Sequence, residues 1–192
     1  MTKMRSQRSL GETTKGKPVT RASNVPGSDV GKKRYDLYSN AYRKIAESKA
    51  TAFYIECVAI LESIIADRLE SRRACLHPTV PDKHRFETLR TASRLICEET
   101  STDQEIKRIY HDITDWKTER NEAVHQIVKL GDEHSTTSWN GRYAELRETV
   151  DRGEKLARAI SRKVKALNKR DYANIGTKTD RHGDPRTSNR GN

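Results

Sequence analysis

Between Tyr35 and Leu167 apolar residues recur every three or four positions, and clear breaks fall only at His77-Pro78-Thr79-Val80-Pro81 and between Gly131 and Gly141. A helix period places such residues on one face, whereas no segment alternates as a strand requires. The expected fold is an all-α, up-and-down bundle of four to five helices. Tyr35, Tyr38, Tyr42 and Ile45 mark a first helix. A second, from about Thr51 to Cys75, carries Phe53, Ile55, Val58, Ile60, Leu61, Ile64, Ile65 and Leu69 around most of its circumference, which predicts a central position. Phe86, Leu89, Ala92, Ser93 and Ile96 stripe a third. The pattern Thr102-Asp103-Gln104-Glu105 reads as a capping box opening a fourth, which can run to Leu130 and end at Gly131. The last, from about Trp139 to Arg170, aligns Tyr143, Leu146, Val150, Gly153, Ala157, Ile160, Val164 and Leu167, with Gly153 permitting close helix approach.

The net charge of +11 suggests a polyanionic partner, but its distribution decides what carries it. Residues 1–34 hold nine Lys or Arg against Glu12 and Asp29, residues 172–192 hold four against Asp180 and Asp184, and residues 35–171 carry only +2. Such polar, basic ends bury too little apolar surface to offset ordering entropy. The expected organisation is a disordered basic N-terminal tail (1–34), a helical domain (35–171) and a disordered C-terminal tail (172–192). The tails can hold phosphate backbones in a salt-dependent way, or serve only as solubilisers.

Cys57, Cys75 and Cys97 form neither a disulfide framework nor a zinc pattern, so they read as packing residues of a reducing compartment. Neither a metal site nor a cofactor is expected. The longest apolar run, Thr51 to Leu69, is broken by Glu56, Glu62 and Asp67, which predicts no membrane helix, and Met1 to Asn24 lacks the apolar core of a secretory signal. A cytoplasmic location is the expectation.

The fourth helix has a heptad stripe of Ile106, Ile109, Ile113, Trp116, Arg120, Ala123, Ile127 and Leu130, in which Arg120 occupies an apolar position. A guanidinium in such a seam needs a partner, either an anionic ligand or an internal carboxylate, Glu62 or Glu56. Asn121 and His125 lie four residues apart and share a helical face. The run Arg120-Asn121-Glu122-Ala123-Val124-His125 resembles the signature of HEPN domains: an Arg, commonly followed by a polar residue such as Asn, then a His after four to six intervening positions, within a helical bundle. The helical part of the resemblance spans about residues 35–170, and both tails lie outside it.

The resemblance implies a metal-independent endoribonuclease, of the kind used as a growth-arresting toxin or phage-defence effector, whose partners are RNA and an antitoxin or inhibitor protein. Its catalytic residues would be Arg120 and His125. Cleavage by the 2′-hydroxyl needs a base, an acid and a fixed cation for charge gathering on the phosphate, and His and Arg fit those roles. Asn121 would orient the phosphate or the imidazole, Glu122 could tune His125, and Glu62 is the carboxylate beside Arg120. Five residues turn a helix by about 140°, so the Arg and His of one chain point apart. HEPN-like proteins are typically two-fold dimers that join both motifs in one cleft, and a homodimer is expected here. His111 and His134 read as exposed; Trp116 and Tyr110 could stack on bases, although Trp116 falls on the apolar stripe. Two alternatives remain open: a non-catalytic HEPN-like module binding nucleotides, RNA or protein, and an unrelated helical protein that binds nucleic acid through its tails.

Overall fold

The computed structural model describes residues 29–77, 88–126 and 139–179. Five helices and no strand are found among them: α1 (Val30–Ala50), α2 (Tyr54–Leu76), α3 (Thr88–Glu98), α4 (Gln104–Gln126) and α5 (Trp139–Thr179). The chain divides into two units, Met1–Leu37 and Tyr38–Asn192. Val30–Leu37, the opening turns of α1, belong to the first. In the second unit α5 packs against α2 and α4, and α3 packs against the same pair, so four helices close around one core. Leu61, Ile65 and Leu69 of α2, Leu95 of α3, Ile113 and Trp116 of α4, and Val150 and Ile160 of α5 are buried there, joined by Ile45 of α1. No described helix is long and apolar enough to cross a membrane.

The turn between α1 and α2 is a Schellman closure: Phe53 N–H donates to the Ser48 carbonyl (2.7 Å) and Ala52 N–H to that of Lys49 (3.2 Å). Ala52 takes the left-handed position at φ 58°, where glycine is usual. Consequently α2 begins at Tyr54 rather than Thr51. Phe53, in the turn, and Ile55, on an arc of α2 that faces solvent, are exposed rather than core.

Three other local expectations change. The α4 cap is Asp103 rather than Thr102: its Oδ1 accepts the amides of Glu105 (3.0 Å) and Ile106 (3.4 Å), and a carboxylate at that end also meets the positive pole of the helix. The Glu105 carboxylate meets Lys163 of α5. On α3 the inward face is Thr88, Thr91, Ala92 and Leu95, while Leu89 is exposed and the Ser93 hydroxyl donates to its carbonyl. Threonine methyls bury well, so Thr88 and Thr91 join Ala92 and Leu95 on the inward face in place of Leu89 and Ser93. Cys57 and Cys75 are buried as packing residues, but Cys97 is exposed.

Helix α1 starts before residue 35 and α5 continues past residue 171. The remainder of both expected tails lies outside the described residues, as do Phe86, the two prolines after His77, Ile127, Leu130, Gly131 and His134.

Gly153 sits where α5 meets α4. A Cβ there would lie 2.7 Å from Trp116 Cε2 and Cζ2, and the indole is pinned because its Nε1–H donates to the Thr149 carbonyl at 2.8 Å. Gly153→Ala gains helix propensity of about 1 kcal/mol. Overpacking a fixed ring costs more, about 1–3 kcal/mol. The variant is expected to unfold at a temperature a few degrees below wild type in a thermal melt; a higher midpoint would mean that the indole moves aside freely.

Candidate functional site

Arg120 follows Trp116 along the inward stripe of α4, and its side chain is 15 % exposed. Its guanidinium meets Glu62 of α2, and the other oxygen of the same carboxylate meets Lys117, one turn earlier on α4. Of the two candidate internal partners, Glu62 is therefore the one in place. Glu56 instead accepts from Ser48 Oγ at 2.5 Å and lies 3.7 Å from Lys44. Burial lowers the Arg120 pKa from its ordinary value, but a guanidinium beside a carboxylate remains charged at neutral pH. Two cations share one carboxylate, so the cluster keeps a surplus positive charge. The buried Arg120 Nε has no hydrogen-bond partner, which leaves one donor unused.

The rest of the motif diverges from Arg120 as helix geometry requires. Asn121 is half-buried, Glu122 and His125 are exposed, and neither Asn121 nor His125 has a hydrogen-bond or ion-pair partner among the described residues. Within one chain the structure unites Arg120, Lys117 and Glu62 but does not bring His125 to them. Trp116 is core, as the stripe indicated, and Tyr110 is fully buried, which removes both as stacking platforms. His111 is exposed, as expected.

Beside the motif, α4 and α5 frame a cleft of about 480 Å³ lined by Glu119, Glu122, Ala123, Glu145, Glu148, Thr149 and Arg152. Arg152 is taken up by Glu119, so the remaining carboxylates make the cleft acidic. A phosphate entering it would meet like charge. Glu122 thus belongs to an acidic wall. No group of three or more His, Cys, Asp or Glu among the described residues is placed to hold a metal ion.

A second polar cluster escaped the sequence reading. Arg72 is fully buried, and its Nε and Nη2 donate to the two oxygens of Glu99 at 2.8 and 2.6 Å. Its Nη1 reaches Asn168 Oδ1 (3.0 Å) and Asp171 Oδ2 (2.6 Å). Tyr110 OH and Ser101 N–H complete the shell of Glu99, each at 3.0 Å. Burial would raise the Glu99 pKa, but the Arg72 and Ser101 hydrogen bonds outweigh it and hold the carboxyl below its usual value. Every guanidinium nitrogen has a protein acceptor, so this cluster is a clamp joining α2, the α3–α4 connection and α5. The signal was present: Leu61, Ile65, Leu69 and Arg72 run at four-four-three spacing, and an Arg on an apolar stripe is the criterion that singled out Arg120.

No family model, no curated protein sequence and no solved structure matches the chain.

Proposed function

We propose that the chain is a HEPN-like, metal-independent endoribonuclease in which Arg120 stabilises the charge of the phosphate in flight and His125 transfers protons at the 2′- and 5′-oxygens. The observation carrying this reading is that Arg120 sits on an apolar seam with a neighbouring cation, one shared carboxylate and an unused Nε–H donor. A surplus cation held against the core is costly unless it serves an anion. Glu62 acts as a positioning residue that fixes the guanidinium, and Asn121 offers an amide to the phosphate or the imidazole. Since His125 stands apart from Arg120 on its own helix, a two-fold dimer supplies the complement, placing the His of one protomer near the Arg of the other. A toxin or phage-defence role, with an antitoxin or inhibitor partner, is the setting that the HEPN resemblance suggests.

One observation favours a second reading: Glu62 already pairs with Arg120 within the single chain, as a structural ion pair would. In that case the protein is a non-catalytic binding module. Incubation of the chain with end-labelled RNA in excess chelator separates the two. Cleavage is expected to persist and to yield 2′,3′-cyclic phosphate and 5′-hydroxyl ends; RNA that is bound but left intact would establish the binding module, and cleavage that stops with chelator would overturn the metal-independent chemistry.

A further inference from the structure

Helix α5 changes sign along its length. Residues 142–154 hold Glu145, Glu148, Asp151 and Glu154 against three arginines, whereas residues 155–170 hold seven Lys or Arg and no acidic residue. Since residues 35–171 together carry +2, that span without 155–170 sums to −5. The positive charge of the folded body is therefore concentrated on sixteen consecutive residues of one helix.

At about 100° per residue, Lys155, Arg158, Arg162, Lys165 and Lys169 fall within an arc of about 80° and form a row about 21 Å long. All five are exposed. Leu156, Ile160, Val164 and Leu167 lie on the opposite side and are buried, so the row faces directly outward from the core. Lys163 and Arg170, outside this arc, are engaged by Asp103 and Asp171. Arg158 pairs with Glu154 and lies over the Tyr42 ring. The other four, Lys155, Arg162, Lys165 and Lys169, have no hydrogen-bond or ion-pair partner among the described residues. Like charges three and four residues apart destabilise a helix, and among the described residues only Arg158 of the row has a carboxylate partner.

We infer that this face of α5 is the surface on which the chain takes the phosphate backbone of a double-helical RNA. A row of cations along one helix face neutralises backbone phosphates without reading bases. Single-strand binders add aromatic platforms for stacking, and residues 155–170 contain no aromatic residue; Tyr172, 55 % exposed, lies beyond the row. A lipid surface fits less well: Ala166 is the one exposed apolar side chain on that stretch, and interfacial helices insert an apolar face that α5 has already buried. The acidic α4–α5 cleft turns phosphates away from the other half of the helix, so the backbone is confined to the C-terminal half.

This inference rests on the preceding reading only in taking RNA as the polyanion, and binding is therefore measured separately from cleavage, on full-length chain carrying His125→Ala. The probe is a fluorescent RNA duplex titrated by anisotropy over a range of salt concentrations. The substitution set Lys155→Glu, Arg162→Glu, Lys165→Glu and Lys169→Glu is expected to weaken binding about tenfold or more and to flatten the log–log salt slope by about 3–4, near 0.9 for each phosphate no longer neutralised. An equal charge change in the N-terminal tail, at Lys3, Arg5, Arg8 and Lys15, should leave a distinctly steeper slope than the α5 set. The four alanine substitutions, which suit a helix, give the same flattening of the slope without charge reversal if the Glu set fails to fold. An unchanged slope in the α5 variants, binding carried wholly by the tail, or binding to anionic phosphatidylserine vesicles but not to RNA would each overturn the assignment.

Discussion

His125→Ala is expected to slow RNA cleavage by about 10²–10⁴ while leaving the fold intact, the range by which a positioned acid or base accelerates a proton transfer. The fold should survive because His125 is exposed and without partners among the described residues, and alanine is the better helix former at that position. Arg120→Ala should lose activity as well, and here the structure supplies a control. Glu62 retains Lys117 when the guanidinium is removed, so no carboxylate is stranded without a cation and lost activity reports on chemistry more than on unfolding. Mixing the two inactive variants tests the shared cleft directly. If each cleft takes its Arg from one protomer and its His from the other, mixed dimers contain an intact combination and recover part of the wild-type rate. Cleavage indifferent to both substitutions would remove the pair from the mechanism, and inactivity of every mixture would argue for a site contained in one protomer.

How much of this was legible in the sequence depends on which physical rule each residue obeys. Helix existence was, because the apolar period is a direct consequence of burying one face, and α2, α4 and α5 follow it closely. Boundaries were less so, since they hang on single polar contacts. Asp103 rather than Thr102 caps α4 because its carboxylate accepts two amides, and a left-handed alanine at Ala52 delays α2 where no glycine announced a turn. At the candidate site the anomaly of Arg120 was visible, and so was Glu62, but Lys117 was not, because its role depends on two helices meeting. The charge of the body was misjudged for a related reason. A total of +2 over residues 35–171 conceals a basic half-helix balanced by acidic residues elsewhere, and only the arrangement of faces reveals that the cations share one side.

The buried Arg72 clamp is expected to be the largest single polar contribution to stability, and Arg72→Met is the substitution that exposes it. Methionine fills much of the volume, so the loss reports mainly on the stranded carboxylate of Glu99, whose side chain is fully buried. Breaking a buried pair from one side costs about 3–5 kcal/mol. For a chain of this length that lowers the melting midpoint by about 6–20 °C, at about 2–4 °C per kcal/mol. The pH dependence identifies the cause. In the wild type the Glu99 carboxyl titrates below its unfolded value, so its contribution is complete above that value, about 4.3, and is lost as pH falls through the folded pKa. Without Arg72, burial dominates and raises the folded pKa, so the variant is penalised at neutral pH and relieved when Glu99 takes a proton. The gap between the two proteins should therefore shrink steadily as melts are repeated from pH 7 down to pH 3. Glu99→Gln combined with Arg72→Met removes the stranded charge by mutation and should recover part of the loss at pH 7. A gap of the same size at every pH would assign the cost to packing around residue 72 rather than to the ion pair.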